Sequence, residues 1–193
     1  MNKLLRMIEG EKPSVTIRKR EEYLFSLLPD LKLCKGFCQN NPWHIYDVYE
    51  HILHVVDGVP KDPTIRLAAL FHDIGKPYVY TEDEKGIGHF YNHWIKSNEI
   101  FLQFAHQYAL DIAQTEKVSR LIFYHDINFE KVEDNTFLEI MNTFSTEEIK
   151  LLFMLKRSDL LAQSSKYHNL LEQYEEQEKR LILIKSYGKK PSK

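Results

Sequence analysis

One segment limits the fold more than any other: residues 62–75, Asp-Pro-Thr-Ile-Arg-Leu-Ala-Ala-Leu-Phe-His-Asp-Ile-Gly. Asp62 is placed as an N-cap, and Pro63 has the backbone angle wanted at the first helical position. The helix they open carries Ile65, Leu67, Ala68, Ala69, Leu70 and Phe71, so it is apolar nearly all round. A helix without a polar face must be surrounded by others. Gly75 is expected to end it, and Pro77 to prevent its resumption. The rest of the sequence supplies the surrounding helices. Residues 45–57 place Ile45, Val48, Tyr49, Ile52, Val55 and Val56 at helical spacing, with Gly58 as a stop. Helical periodicity returns over 92–110, 114–127 and 166–186. Ser145 and Glu148 form a capping box for another helix. Residues 16–28 read as one helix and 31–41 as a linking loop. Only 78–90 allows strand, as an irregular insert or short hairpin. The expectation is an all-α single bundle, divided as 1–41 (N-terminal helix and linker), 42–165 (main domain) and 166–193 (C-terminal helix and basic tail).

The chain has 193 residues, with 26 Lys and Arg against 28 Asp and Glu, a net charge of −2. That balance argues against non-specific wrapping of nucleic acid and against an anionic membrane surface. No apolar run approaches the roughly 18 residues of a membrane span. The first residues lack a signal-peptide pattern, so a cytoplasmic protein is expected. Two cysteines, Cys34 and Cys38, make neither a disulfide scaffold nor a zinc ribbon and read as half-buried thiols.

The unusual residue is histidine, of which there are nine. His51, His72-Asp73, His93, His125 and Asp159 each fall on or at the end of an expected helix in apolar surroundings. A carboxylate in such a stretch is costly unless paired or metal-bound. No Lys or Arg is expected on the helix faces of Asp73 and Asp159, which invites a cation between them. One histidine on a core helix is more often a hydrogen-bonded core residue than a ligand. The adjacent pair His72-Asp73 is harder to place in that way. Adjacent residues diverge by about 100° on a helix, so both reach one centre only beyond the last turn.

These residues resemble a known family. His51…His72-Asp73…Asp159 is similar to the H…HD…D signature of the HD superfamily of metal-dependent phosphohydrolases, and His72-Asp73-Ile74-Gly75-Lys76-Pro77 resembles its HDIG subset. Within residues 30–165 the order of motifs looks like the HD domain of bacterial tRNA nucleotidyltransferases, the CCA-adding enzymes. Those motifs are His44 to His51, the HDIGKP string, Thr81-Glu82-Asp83, Gly88 to His93, and Leu155 to Gln163. The paired carboxylates of a nucleotidyltransferase domain are missing, so CCA addition is not expected. Trp94 stands where such sequences often carry Glu.

The resemblance implies a first divalent metal on His51, His72, Asp73 and Asp159. It implies a second on His93 and His125, bridged by Asp73, with a single ion as the alternative. Four imidazoles and two carboxylates suit Fe, Mn, Ni, Co or Zn. Asp73, Lys76 and His89 become candidate catalytic residues, and Lys76, His89 and Arg157 candidate phosphate contacts. Each of the last three has a plainer reading: Lys76 as a solvated lysine at a helix end, His89 as a loop histidine, Arg157 on a solvated helix face. Asp126 could orient His125, although neighbouring helix residues diverge. His54 is the best spare ligand, while His44, His106 and His168 read as structural or surface residues. Trp43, Tyr46 and Tyr91 could line a pocket for a base or sugar.

The implied activity is hydrolysis of a nucleotide or RNA-derived phosphoester by metal-activated water, of 2′,3′-cyclic phosphate, nucleotidase or phosphatase type. The alternatives are a signalling-dinucleotide phosphodiesterase, and a non-catalytic module binding RNA or a partner. The partners expected are a small phosphoester or nucleotide and RNA ends, with no membrane. Oligomeric state stays open.

Overall fold

In a computed structural model, which describes residues 2–129 and 134–187, the segment after Asp62 is a helix at the centre of the bundle. The chain runs α1 (Asn2–Ile8), α2 (Pro13–Lys19), α3 (Glu21–Leu27), α4 (Pro29–Cys34), α5 (Val48–Gly58), α6 (Pro63–Phe71), α7 (Lys76–Val79), β1 (Thr81–Glu82), β2 (Gly88–His89), α8 (His93–Gln107), α9 (Ile112–Tyr124), α10 (Asp134–Thr143), α11 (Thr146–Leu161), a 3₁₀ turn (Ser165–Tyr167) and α12 (Leu170–Tyr187). The fold is all-α apart from the two-residue strands, which pair antiparallel with Thr81 opposite His89. None of the described helices is long and apolar enough to cross a membrane.

Asp62 caps α6 by accepting from the Thr64 and Ile65 amides at 2.9 and 3.1 Å. From Ile65 to Phe71 every side chain is buried, and α1, α5, α8, α9 and α11 all pack on this helix. Burial of each large apolar side chain contributes roughly 1.5–3 kcal/mol. Arg66, the one charge in the run, is buried too. It donates to the carbonyls of Ile8, Gly10 and Pro60, tying the N-terminal segment to the core.

The end of α6 departs from expectation. His72 is its C-cap, and the chain turns through Asp73–Gly75 straight into α7. Pro77 lies in the first turn of that new helix, where its missing N–H costs nothing. Gly75 serves a close approach. A Cβ there would lie 2.5 Å from the Ser97 nitrogen and 2.7 Å from the His93 oxygen, so glycine lets α8 cross directly against the turn. Ser97 Oγ accepts from the Gly75 amide at 2.9 Å.

Other boundaries differ for local reasons. α5 begins at Val48 because Asp47 accepts from the Glu50 amide at 2.7 Å, leaving Ile45 outside and exposed. Residues 16–28 are two helices broken at Arg20, and 31–41 is partly α4. The break before Pro29 follows the exclusion of helical angles from a residue preceding proline. The 166–186 helix is preceded by the separate 3₁₀ turn, and α10 had no counterpart in the sequence reading. Both halves of the capping box of α11 are formed, between Ser145 and Glu148.

Leu4, Met7, Ile8, Ile17, Leu24 and Leu31 belong to the same core as α6, and α12 packs along α11. Both the N-terminal helices and α12 thus pack against the helices of the 42–165 region. Cys34 is fully buried and Cys38 exposed, rather than both half-buried. The basic tail, 188–193, lies outside the described residues.

Candidate metal centre

Five helices bring their ionisable side chains to one point. His51 comes from the middle of α5, and His72 and Asp73 from the turn after α6. His93 opens α8, His125 caps the end of α9, and Asp159 lies in α11. All are buried except Asp159, which is half-buried. The ligand atoms fall into two groups, each within 4.8 Å, that share Asp73: His51, His72, Asp73 and Asp159, and Asp73, His93 and His125. Asp73 Oδ2 lies 3.2 Å from His51 Nε2 and 3.3 Å from His72 Nε2, while its Oδ1 lies 3.1 Å from His93 Nε2. Asp159 Oδ1 is 2.9 Å from His51 Nε2.

Hydrogen bonds identify the ring nitrogens that face inward. His72, His93 and His125 place Nδ1 at 2.8, 3.0 and 2.7 Å from the carbonyls of Ala69, Phe90 and Ile122. A carbonyl only accepts, so each Nδ1 carries a proton and, in the neutral form, leaves the Nε2 lone pair facing into the centre. Yet His93 Nε2 and His125 Nε2 are 3.1 Å apart, and His51 Nε2 and His72 Nε2 are 3.4 Å apart. The His93 and His125 lone pairs repel at that distance unless a positive charge lies between them, whereas His51, whose Nδ1 has no partner, can carry its proton on Nε2. Asp73 Oδ2 is buried between these rings, with Lys76 Nζ 2.7 Å away. This donor set fits divalent metal.

The electrostatics agree. Burial works against the Asp73 carboxylate, but His72, Lys76 and the contacts from His125 and His51 hold it well below the usual carboxylate range. Burial likewise opposes the charge on Asp159, and His51 and His72 outweigh it, again lowering the pKa. His51 is opposed by burial and pushed up to about 9 by Asp159 and Asp73.

Lys76 is neither solvated nor on the surface. It is 4% exposed, with Nζ 2.7 Å from Asp73 Oδ2, and donates to Gln39 Oε1 at 2.8 Å. A cation thus does lie beside Asp73, against expectation, because the turn after α6 carries Lys76 back over the carboxylate. His44, read from the sequence as structural or surface, belongs to this network. Its Nδ1 donates to Asn41 Oδ1 at 2.8 Å, which leaves Nε2 to accept from Lys76 at 3.2 Å. Burial and Lys76 drive the His44 pKa down to about 2. Gln39 was missed; His44 was detectable as the first residue of the motif that ends on His51.

The remaining candidates divide. His89 sits on the hairpin at the rim of a 270 Å³ cavity above the centre, 3.3 Å from Asp83 Oδ2 and stacked on Tyr91. Trp43, Tyr91 and Trp94 line that cavity, whereas Tyr46 stacks on His54. His54 is exposed and does not reach the centre, since three helical residues rotate it by about 60° from His51. Arg157 does not reach the cavity either: its guanidinium pairs with Glu178 of α12 at 2.6 Å. Asp126 lines the cavity, but His125 takes the Ile122 carbonyl instead. Sequence reading also missed Lys156, which is buried in α11 and donates to the His125 and Ile127 carbonyls at 2.9 and 2.8 Å. It anchors the end of α9 that presents His125. Burial lowers its pKa to about 8, against the pull of Asp126 and Asp159.

Comparison with known proteins agrees with this geometry. A protein-family model described as "HD domain" matches residues 44–185. A bifunctional uridylyltransferase/uridylyl-removing enzyme from Gluconobacter oxydans (strain 621H) is 28% identical over 172 residues, covering 74% of this chain. The match spans 17% of that relative's length.

Proposed function

The chain belongs to the HD domain family, and with it to the metal-dependent phosphohydrolases; on that premise we propose that it hydrolyses a nucleotide or RNA-derived phosphoester with two divalent transition metal ions. The observation that carries the reading is the pair of imidazole groups, each with Nε2 atoms closer than 3.5 Å, facing opposite oxygens of one carboxylate. His51, His72 and Asp159 would hold one ion with Asp73 Oδ2, and His93 and His125 a second with Asp73 Oδ1. Imidazole and carboxylate donors suit Fe, Mn, Ni, Co or Zn. Such ions supply water of lowered pKa and neutralise charge on phosphoryl oxygens.

The protein's own groups do the rest. Lys76 keeps the Asp73 carboxylate charged and presents the cation nearest to a phosphate in the cavity. His89, on the rim, would protonate a departing oxygen. Trp43 and Tyr91 offer flat faces to a base. Two likenesses support a nucleotide-type substrate. The motif order resembles the HD domain of tRNA nucleotidyltransferases, which favours RNA-derived ends, and the relative named above is called uridylyl-removing. Cys34 and Cys38 as free thiols suit a cytoplasmic setting.

The test is a panel of p-nitrophenyl phosphate, bis(p-nitrophenyl) phosphate, 2′,3′-cyclic nucleotides and 5′-nucleotides, with Mn²⁺, Fe²⁺, Ni²⁺, Co²⁺ or Zn²⁺ added. Turnover that chelator removes and metal restores is expected for at least one nucleotide ester. Turnover unaffected by chelator, or none with any metal, contradicts the reading.

A further inference from the structure

A second cavity, 450 Å³, opens from the same floor on the side away from the hairpin. It shares Trp43, His44, His125, Asp126, Asp159 and Gln163 with the 270 Å³ cavity, so the two are arms of one cleft meeting at the ligand cluster. Their walls differ. The hairpin arm is closed by aromatic rings, whereas the second arm is walled by α12, which contributes Gln173, Tyr174 and Gln177. Gln173 and Gln177 are four residues apart and so share one helix face. Their amides make no hydrogen bond within the protein among the described residues, while each offers two donors and an acceptor.

The charges in this arm are already committed. Lys156 donates to two carbonyls, and Asp126 adds a negative group. Among the described residues the only Lys or Arg lining the hairpin arm is Lys76, held by Asp73 and Gln39. Neither arm is lined, among the described residues, by an uncommitted Lys or Arg for a second phosphate, which disfavours polyphosphates and long nucleic acid chains. Small-molecule pockets usually enclose about 300–1,000 Å³. The hairpin arm falls just short of that and the α12 arm lies within it, so a two-part ligand fits better than one large group. A phosphomonoester has one organic substituent and would leave an arm empty. A phosphodiester has two.

Resting on the hydrolase reading above, we infer that the α12 arm is a binding site for the second nucleoside of a phosphodiester. Gln173 and Gln177 read that nucleoside's donor and acceptor edges, while the first stacks in the aromatic arm. Hydrolysis of such a diester is balanced: water supplies the hydroxyl that forms the new P–O bond, and the departing alkoxide takes a proton and leaves in one arm.

The experiment measures equilibrium binding of the dinucleoside monophosphate UpU and of 5′-UMP to the Mn²⁺-loaded full chain, wild type and Gln173→Leu/Gln177→Leu. Both substitutions lie on the outer wall of the bundle, and metal content confirms that the centre is intact. UpU is expected to bind more tightly than UMP, and loss of two neutral hydrogen bonds should cut the UpU/UMP affinity ratio about tenfold. A wild-type preference for UMP, a ratio unchanged in the double variant, or no UpU binding to metal-loaded protein each overturns the inference. Chelator-sensitive turnover of p-nitrophenyl phosphate alongside any of these would leave the hydrolase reading standing.

Discussion

The two halves of the metal centre share Asp73 and little else. One half draws His51 from a helix interior, His72 from a buried cap and Asp159 from near the end of α11, which packs on α5, α6, α9 and α12. With Asp73 it has four protein ligands, enough to fill a tetrahedral site. The other half has two histidines at helix ends and Asp73, three ligands in all, and faces the cavity beside Trp94 and Asp126. His51 and His72 are fully buried and so held by the core itself, whereas His93 and His125 depend on what fixes the ends of α8 and α9. Here Gly75, which admits α8, fixes His93, and Lys156 fixes His125. On the two-ion reading proposed above, three ligands would leave room in this half for water and substrate.

That contrast can be broken at several points. Asp73→Ala should have the largest effect, removing both ions and lowering kcat/KM by on the order of 10³-fold, as loss of several kcal/mol of charge stabilisation implies. His125→Ala should empty only the helix-end half, which metal analysis would show as a partial loss. Gly75→Ala forces a Cβ to within 2.5 Å of backbone on α8, so it should cost about 1–3 kcal/mol in denaturant unfolding and weaken the same half through His93. Lys156→Met keeps the volume but removes the clasp on the end of α9, and the second ion should bind about tenfold more weakly in a competition assay.

Lys156 carries a pH signature too. Its pKa is about 8 in the fold, against roughly 10.4 unfolded, so between these values the unfolded chain holds more protons. Stability of the metal-free protein should therefore rise from pH 8 towards pH 10, and Lys156→Met should lack that part of the rise. Unfolding midpoints across the range decide it. His89→Ala, on the rim, should lower kcat by only a few-fold to about a hundredfold while leaving metal content unchanged.

What the sequence made legible was what depends on neighbours in the chain. Asp62 and Ser145 announce their helices because a cap bonds to amides two or three residues on. The pair His72-Asp73 at the end of an apolar helix announced the centre for a similar reason. The fate of Lys76 was hidden because it depends on Gln39 and His44, more than thirty residues earlier. Arg157 was misplaced because its partner, Glu178, lies on another helix. The N-terminal helices were run together because Ile17 and Leu24 stand seven residues apart, in helical register across the break at Arg20, although Pro29 marked the second break.

Metal analysis of protein purified without chelator or a histidine tag tests the central claim most directly, comparing wild type, His125→Ala and Asp73→Ala. A shared carboxylate between unequal halves predicts about two, one and no equivalents of transition metal respectively. One equivalent in the wild type, retained by His125→Ala, would contradict it and leave His93 and His125 as core histidines.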